Sequence, residues 1–170
     1  MKLGVIRKPN RNARRGAVAV EAALCLPILV TVMLGIWEVG RMAQYSRLLY
    51  DSAREGARIA AGGINGGTSV TAAMVTTAVQ GYMTDAGFPA AAVSGSTVTV
   101  NNLSTHTWTD PCNATQLDPF SVTVTIPAGT AYNSLSLSGL SITGITRLQA
   151  TVYWMSNNDT QVTVSTTLPY

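Results

Sequence analysis

The chain has 170 residues, of which 46% are hydrophobic, and a formal net charge of +3. Six of its eleven Lys and Arg lie before residue 17, and Arg147 alone lies beyond residue 60, where there are four aspartates. The positive balance therefore belongs to the N-terminus and excludes a basic surface for binding nucleic acid. About 110 residues beyond position 60 suffice for one small domain but not for two.

An apolar stretch at residues 17–37 follows the basic N-terminus directly and contains one carboxylate, Glu21. As a helix it would be about 30 Å long, enough to cross the hydrocarbon core of a bilayer. A secretory signal has a shorter apolar core with small residues after it, whereas here Ala17 and Ala19 begin the run. We therefore predict a single transmembrane segment at 17–37, with the basic leader 1–16 in the cytoplasm.

The junction contains a motif that runs from Arg15 to Leu24 and is followed by Leu26-Pro27. It resembles the N-terminus of TadE-like minor pilins of the tight-adherence (Flp) pilus, and the resemblance covers about residues 14–62. It implies that a membrane aspartic prepilin peptidase cleaves between Gly16 and Ala17, which makes Glu21 the fifth mature residue and the glutamate typical of the family. Small major Flp pilins have an aromatic residue after that glutamate. Ala22 at that position, together with the long exported region, favours a minor pilin.

The resemblance also implies a role and a location. Glu21 would face the freed amine of a neighbouring subunit during assembly. Such a pairing would offset the cost of placing a carboxylate in hydrocarbon, which is about 2.5 kcal/mol or more. The implied partners are other pilin subunits, the prepilin peptidase, the inner-membrane pilus assembly machinery and the membrane itself. The protein would be a single-pass protein of the bacterial inner membrane, before or instead of entering a filament. The alternative is an uncleaved, signal-anchored extracytoplasmic binding domain.

Pro27 lies inside the predicted transmembrane helix. A proline there removes one helical hydrogen bond, to the carbonyl of Ala23, so a kink is expected unless this is simply a tolerated membrane proline.

The helix is expected to continue beyond the membrane over residues 38–61. Its charged residues are spaced three and four apart, which is typical of a solvated face. These residues are Glu38, Arg41, Arg47, Asp51, Arg54, Glu55 and Arg58. A second face is apolar or small at helical spacing and is predicted to pack either on the protein's own sheet or on a neighbouring helix. That stripe consists of Met42, Tyr45, Leu49, Ala53, Gly56 and Ala60.

The exported domain, residues 62–170, begins with four glycines in six residues, which predict a turn. Thr68 or Ser69 is then expected to cap a second helix that ends near 87–89. Alternating apolar and hydroxyl residues predict antiparallel strands at 97–100, 121–126 and 161–165, with loops at 101–118 and 127–144. The longest predicted strand is 145–155, whose core face would hold Leu148, Ala150, Val152 and Trp154. The predicted fold class is therefore α+β: a long transmembrane helix that continues into a small exported domain with a second helix and an antiparallel sheet.

No pattern of catalytic or metal-binding residues is recognisable in the sequence. His106 is the one histidine, and it lies in a polar loop with Asp110, Cys112 and Asp118 without the spacing of a metal site. Cys25 lies in the membrane segment and Cys112 in the exported part, so the two cannot form one intrachain disulfide. We expect no enzymatic activity, no cofactor and no metal.

Overall fold

The computed structural model describes residues 11–65, 68–127, 129, 133 and 147–158. The predicted strand at 161–165 and most of the predicted loop at 127–144 lie outside the described residues. The chain has two compact units, residues 1–40 and 41–170. The elements, in chain order, are α1 (Arg11–Ala61), β1 (Ile64–Asn65), β2 (Thr68–Ser69), α2 (Ala72–Asp85), α3 (Ala90–Ser94), β3 (Thr97–Asn102), a 3₁₀ turn (Pro111–Asn113), β4 (Pro119–Pro127) and β5 (Arg147–Met155). The predicted α+β class with a long N-terminal helix is confirmed.

Helix α1 ends at Ala61, where the sequence predicted, but begins at Arg11, inside the basic leader. It ends because Gly63 adopts a left-handed φ of +53°, which glycine accepts without strain, and the amides of Gly62 and Gly63 bond to the last-turn carbonyls of Ile59 and Ala60. The helix continues through Pro27 without a break. A kink at Pro27 would bend the helix without interrupting it, so the kink stays a prediction.

The predicted apolar stripe of α1 is confirmed, since Met42, Leu49, Ala53 and Ala60 are buried and Tyr45 is partly buried against them. They belong to the same core as the inner residues of α2 and the sheet. The stripe was predicted to pack either on the protein's own sheet or on a neighbouring helix. In the structure it packs in the protein's own core.

The charged face of α1 differs from the prediction in two respects. Of the pairs expected from the spacing, only Glu55–Arg58 forms an ion pair among the described residues, with Arg58 Nη2 2.6 Å from Glu55 Oε1 and Nε 2.9 Å from Oε2. Glu38 is not on a solvated face, because its side chain is only 6% exposed.

At Gly56, α1 lies very close to the rest of the core. A Cβ atom at this position would lie 2.6 Å from Val79 Cγ2 of α2 and 3.4 Å from Val122 Cγ1 of β4. Both valines are fully buried. The absent side chain of Gly56 therefore lets α1 contact α2 and the sheet at one place.

The N-terminus of α2 corrects the predicted cap. Thr68 and Ser69 form β2, which pairs with β1, and the cap is Thr71, whose side chain accepts a hydrogen bond from the Met74 amide at 3.3 Å. The helix begins later than predicted because the two hydroxyl residues are used in a small hairpin. Its buried face consists of Val75, Val79 and Met83.

The sheet has three antiparallel strands with β4 in the centre, in the order β3-β4-β5. One face of β4 is fully buried and consists of Phe120, Val122, Val124 and Ile126. The other face bears hydroxyl residues, and Thr123 Oγ1 lies 3.0 Å from Thr151 Oγ1 across the strands. The predicted strands at 97–100, 121–126 and 145–155 are confirmed with slightly different ends.

The prediction that Trp154 belongs to the core is wrong. Ala150 and Val152 are buried as expected, but Trp154 is 40% exposed although it pairs with Phe120, which is 1% exposed. The alternation assigned the correct face of β5, but Trp154 lies near the strand's end, where the core no longer covers it.

The residues after β5 fix the C-terminal end of α1 to the loop before β4. The Asn157 amide donates to the Ala61 carbonyl at 2.8 Å, and Asn158 Nδ2 donates to the carbonyls of Cys112 and Ala114. A Cβ on Gly63 would lie 2.6 Å from Asn158 Cγ, so glycine is required there both for φ and for space.

We predict that Gly56→Ala lowers the free energy of unfolding of the unit formed by residues 41–170 by about 1–3 kcal/mol, because the new methyl group overlaps Val79 in a packed core. Alanine's better helix propensity, worth about 1 kcal/mol, would otherwise stabilise α1. Gly81→Ala is the matched control, since Gly81 lies exposed in α2 with open space around it. Thermal unfolding of the full chain in detergent, followed by tryptophan fluorescence, should show a lower midpoint for Gly56→Ala and an equal or higher one for Gly81→Ala. Equal midpoints for wild type and Gly56→Ala would contradict the close approach.

Candidate membrane anchor and processing segment

All four residues singled out in the sequence lie on α1. Gly16, Glu21 and Pro27 are exposed, and Ala17 occupies a helical position. Ala17 and Glu21 are four residues apart in the helix, about 6 Å along its axis. The structure thus places the candidate cleavage site and the candidate assembly glutamate about one helical turn apart.

Between residues 18 and 39, α1 exposes large apolar side chains on every side, and Glu21 is the exposed charged residue among them. The large apolar side chains are Val18, Val20, Leu24, Leu26, Ile28, Leu29, Val30, Val32, Met33, Leu34, Ile36, Trp37 and Val39. A helix that is apolar all round is stable only when lipid or other protein surrounds it. The most apolar 18-residue window has a mean hydropathy of 2.2, and the helix is long and apolar enough to cross a membrane.

Thr31 is a feature of this segment that the sequence analysis missed. Its Oγ1 donates to the Pro27 carbonyl at 2.8 Å, four residues earlier. Such a bond weakens the backbone hydrogen bond made by the same carbonyl and often bends a helix slightly. It acts one turn after the hydrogen bond that Pro27 removes, in the part of α1 where the kink is predicted. The Pro-x-x-x-Thr spacing is the signal that could have found it.

Glu38 lies at the end of the apolar segment and is buried. Its Oε1 atom has no hydrogen-bond partner among the described residues. Arg41, three residues later, instead donates to the Tyr45 hydroxyl at 3.2 Å, with its guanidinium carbon 5.7 Å from the centre of the Tyr45 ring. A buried carboxylate oxygen without a hydrogen-bond partner is costly, and the spacing of charged residues in the sequence does not indicate it.

The polar loop between β3 and β4 holds two aspartates in structural roles. Asp118 accepts hydrogen bonds from the Thr115 amide at 2.8 Å and hydroxyl at 2.9 Å, and these bonds hold the pKa of Asp118 below its usual range. These two hydrogen bonds therefore stabilise the fold at pH values above the ordinary pKa of an aspartate. The stabilisation is lost as the pH falls through the lowered pKa of Asp118. His106 Nδ1 lies 3.5 Å from Asp118 Oδ2.

Asp110, in the same polar loop, stabilises a helix that is distant in the sequence. Its Oδ1 accepts a hydrogen bond from the Ala72 amide at 2.9 Å, in the first turn of α2. Cys112 is half-buried and unpaired, and Cys25 is exposed on α1. Within the described part of the chain no three His, Cys, Asp or Glu side chains are grouped as metal ligands.

Residues 16–58 match the family model described as TadE-like protein. The resemblance inferred from the sequence is thereby confirmed, and it indicates a protein associated with the tight-adherence pilus, with a helix able to anchor in a membrane. The family is structural rather than catalytic. No curated protein and no solved structure matches the chain.

The TadE-like segment, residues 16–58, lies entirely on α1. It begins at the glycine between the basic leader and the apolar stretch and extends beyond Gly56. The segment therefore includes both the exposed apolar surface and the residues by which α1 packs on its own domain.

We predict that Cys25 is protected from a charged, membrane-impermeant maleimide when the chain is in a membrane, because neither the thiolate nor the reagent is stable in hydrocarbon. The experiment uses the Cys112→Ser variant in spheroplasts. The comparison is Gln44→Cys in a chain without native cysteines, since Gln44 is an exposed position of α1 outside residues 17–37. Labelling of Cys25 should be roughly a tenth or less of that of the Gln44→Cys variant and should become equal after unfolding in SDS. Equal labelling before unfolding would mean that Cys25 is not in the bilayer.

Proposed function

We propose that this protein is a minor pilin or pseudopilin of a tight-adherence pilus, made as a membrane-anchored precursor and cleaved after Gly16. The observation that supports this most strongly is that the TadE-like match begins at Gly16. The same residue separates a leader with six basic residues from a helix whose apolar surface is exposed on every side. In this proposal residues 1–16 are cytoplasmic, 17–37 span the inner membrane, 38–61 continue the helix outside, and 62–170 form the exported domain.

Cleavage would change the energetics of the anchor in two ways. Hydrolysis of the Gly16–Ala17 bond removes all six basic residues that precede Ala17, so the leader no longer holds the helix at the cytoplasmic face. It also creates a positive amine at the N-terminus of a helix, where the helix dipole is positive and disfavours it.

Glu21 offers a way to neutralise that amine. The carboxylate is on the exposed surface of α1, and in hydrocarbon it is costly until a positive charge compensates it. An amine from one subunit and a carboxylate from its neighbour remove both penalties together. We propose that this pairing sets the position of one subunit against the next, while the apolar side chains around Glu21 exchange lipid for neighbouring helices.

In this account the exported domain is a structural and recognition module rather than an enzyme. Its partners in assembly are other pilin subunits, the prepilin peptidase and the inner-membrane assembly machinery. The alternative is a permanently anchored extracytoplasmic binding domain, which would keep the same helix but retain the leader.

We predict that Gly16→Leu blocks processing, because a bulky side chain next to the scissile bond would be excluded from a peptidase that accepts glycine. Co-expression with the cognate peptidase, followed by mass spectrometry of the intact chain, should give wild type beginning at Ala17 and Gly16→Leu beginning at Met1. Gly35→Leu is the control, because Gly35 lies in the same apolar segment with open space around it. It should be processed as wild type.

Two outcomes would contradict the proposed cleavage. Wild type that retains its leader in the presence of an active peptidase would favour the uncleaved anchor. Processing of Gly16→Leu to the same extent as wild type would place the cleavage site elsewhere.

We predict that Glu21→Gln retains membrane insertion and loses most incorporation into fibres, because the amide removes the charge while keeping the shape of the side chain. Glu21→Asp, which keeps the charge, should be intermediate. Membrane retention is measured by alkaline extraction, and incorporation by the amount of chain in sheared fibres. If Glu21→Gln were incorporated as well as wild type, Glu21 would not have the proposed role in assembly.

A further inference from the structure

A cleft of about 300 Å³ lies on the surface of the unit formed by residues 41–170. It is formed by three elements that are distant in the sequence, namely α1, α2 and β5. The described residues that line it are Asp51, Arg54, Glu55, Arg58, Tyr82 and Trp154. None of these residues has a part in the proposed cleavage or in the pairing of Glu21.

Two large aromatic side chains are left partly uncovered in this cleft. Trp154 is 40% exposed and Tyr82 is 36% exposed. Trp154 shares its face of the sheet with Phe120, which is fully buried. The apolar core therefore lies next to the indole but does not cover it. Exposed aromatic faces in a concave site are suited to stacking on a ligand's C–H groups.

The charges of the described lining residues balance. Two are positive and two are negative, and Glu55 and Arg58 bind each other through two hydrogen bonds. Asp51 and Arg54 are in none of the ion pairs between described residues, and their side chains are exposed. A carboxylate offers only acceptors and a guanidinium only donors, so this pair can bond to groups that both donate and accept, such as hydroxyls.

The balance of charge and the size of the cleft limit the class of ligand. An anion would be attracted by Arg54 and repelled by Asp51 and Glu55, and a cation would meet the opposite arrangement. The volume lies at the small end of the range of about 300–1,000 Å³ typical of small-molecule sites. A protein partner would instead need a surface of about 800 Å² per side, so its contact would have to extend well beyond the cleft.

We propose that this cleft binds a neutral sugar, with one ring stacked on Trp154 and its hydroxyls bonded to Asp51 and Arg54. A pyranose ring fits the requirements because it has an apolar C–H face and a periphery of hydroxyl groups. Tyr82 contributes a second aromatic surface together with a hydroxyl. The site adds a binding function to the exported domain and does not depend on the proposed role in pili.

The test uses the full chain in lauryldimethylamine oxide, a detergent without a sugar group, and the probes maltose, cellobiose and chitobiose. Saturation-transfer NMR should show contact between at least one probe and the protein, strongest at the ring C–H protons. Trp154→Ala and Arg54→Gln should each weaken that binding by about tenfold or more. Tyr153→Ala is the matched control, because Tyr153 is the adjacent aromatic residue, is 74% exposed and points to the other face of β5. It should bind as wild type.

Each other outcome would overturn the proposal. One is that no probe binds. Another is that Tyr153→Ala weakens sugar binding as much as Trp154→Ala does. The third is that sugar binding survives Arg54→Gln, a substitution at an exposed position that is not expected to affect folding.

Tighter binding of sialyllactose than of the neutral sugars would assign the cleft to anions. Crosslinking of two chains through Arg54→Cys, unaffected by any probe, would show that the cleft is a contact between proteins.

Discussion

A single helix has to satisfy two different surroundings, and the rest of the molecule follows from that constraint. Between residues 18 and 39, α1 exposes apolar side chains on every side, whereas from Met42 onward one face is buried in a core and the other bears charges. The first part can be stable only in lipid or among other apolar helices. The second part packs like an ordinary helix of a soluble domain. The TadE-like match covers both parts.

The second part of α1 depends on small residues. Ala53, Gly56, Ala57 and Ala60 are buried, and at Gly56 even one methyl group would overlap Val79. Small residues at this spacing also occur where transmembrane helices associate, so the pattern alone does not distinguish between the two uses. Here they bring α1 against α2 and β4, so in this part of the helix the small residues are used in the chain's own core.

Local patterns in the sequence were sufficient for most elements of the fold. The spacing of the apolar stripe predicted the buried face of α1, the glycines predicted its end, and alternation predicted β3, β4 and β5. Contacts between distant residues could not be predicted. Thr68 and Ser69 looked like helix caps because nothing local shows that they pair with Ile64 and Asn65.

The same limit applies to the side chains that matter for function. Asp110 bonds to an amide 38 residues away, and the exposure of Trp154 depends on what lies beside the end of β5. The residues proposed for processing and assembly come from a local motif. The structure adds that Gly16, Glu21 and Pro27 are exposed on one helix.

The most direct test of the central claim is to determine the N-terminus of this chain in sheared extracellular fibres and, separately, in the membrane fraction of the same cells. The account predicts chains beginning at Ala17 in the fibres and a mixture of precursor and mature chains in the membrane. Fibres without this chain, together with a membrane fraction that contains only chains beginning at Met1, would contradict it.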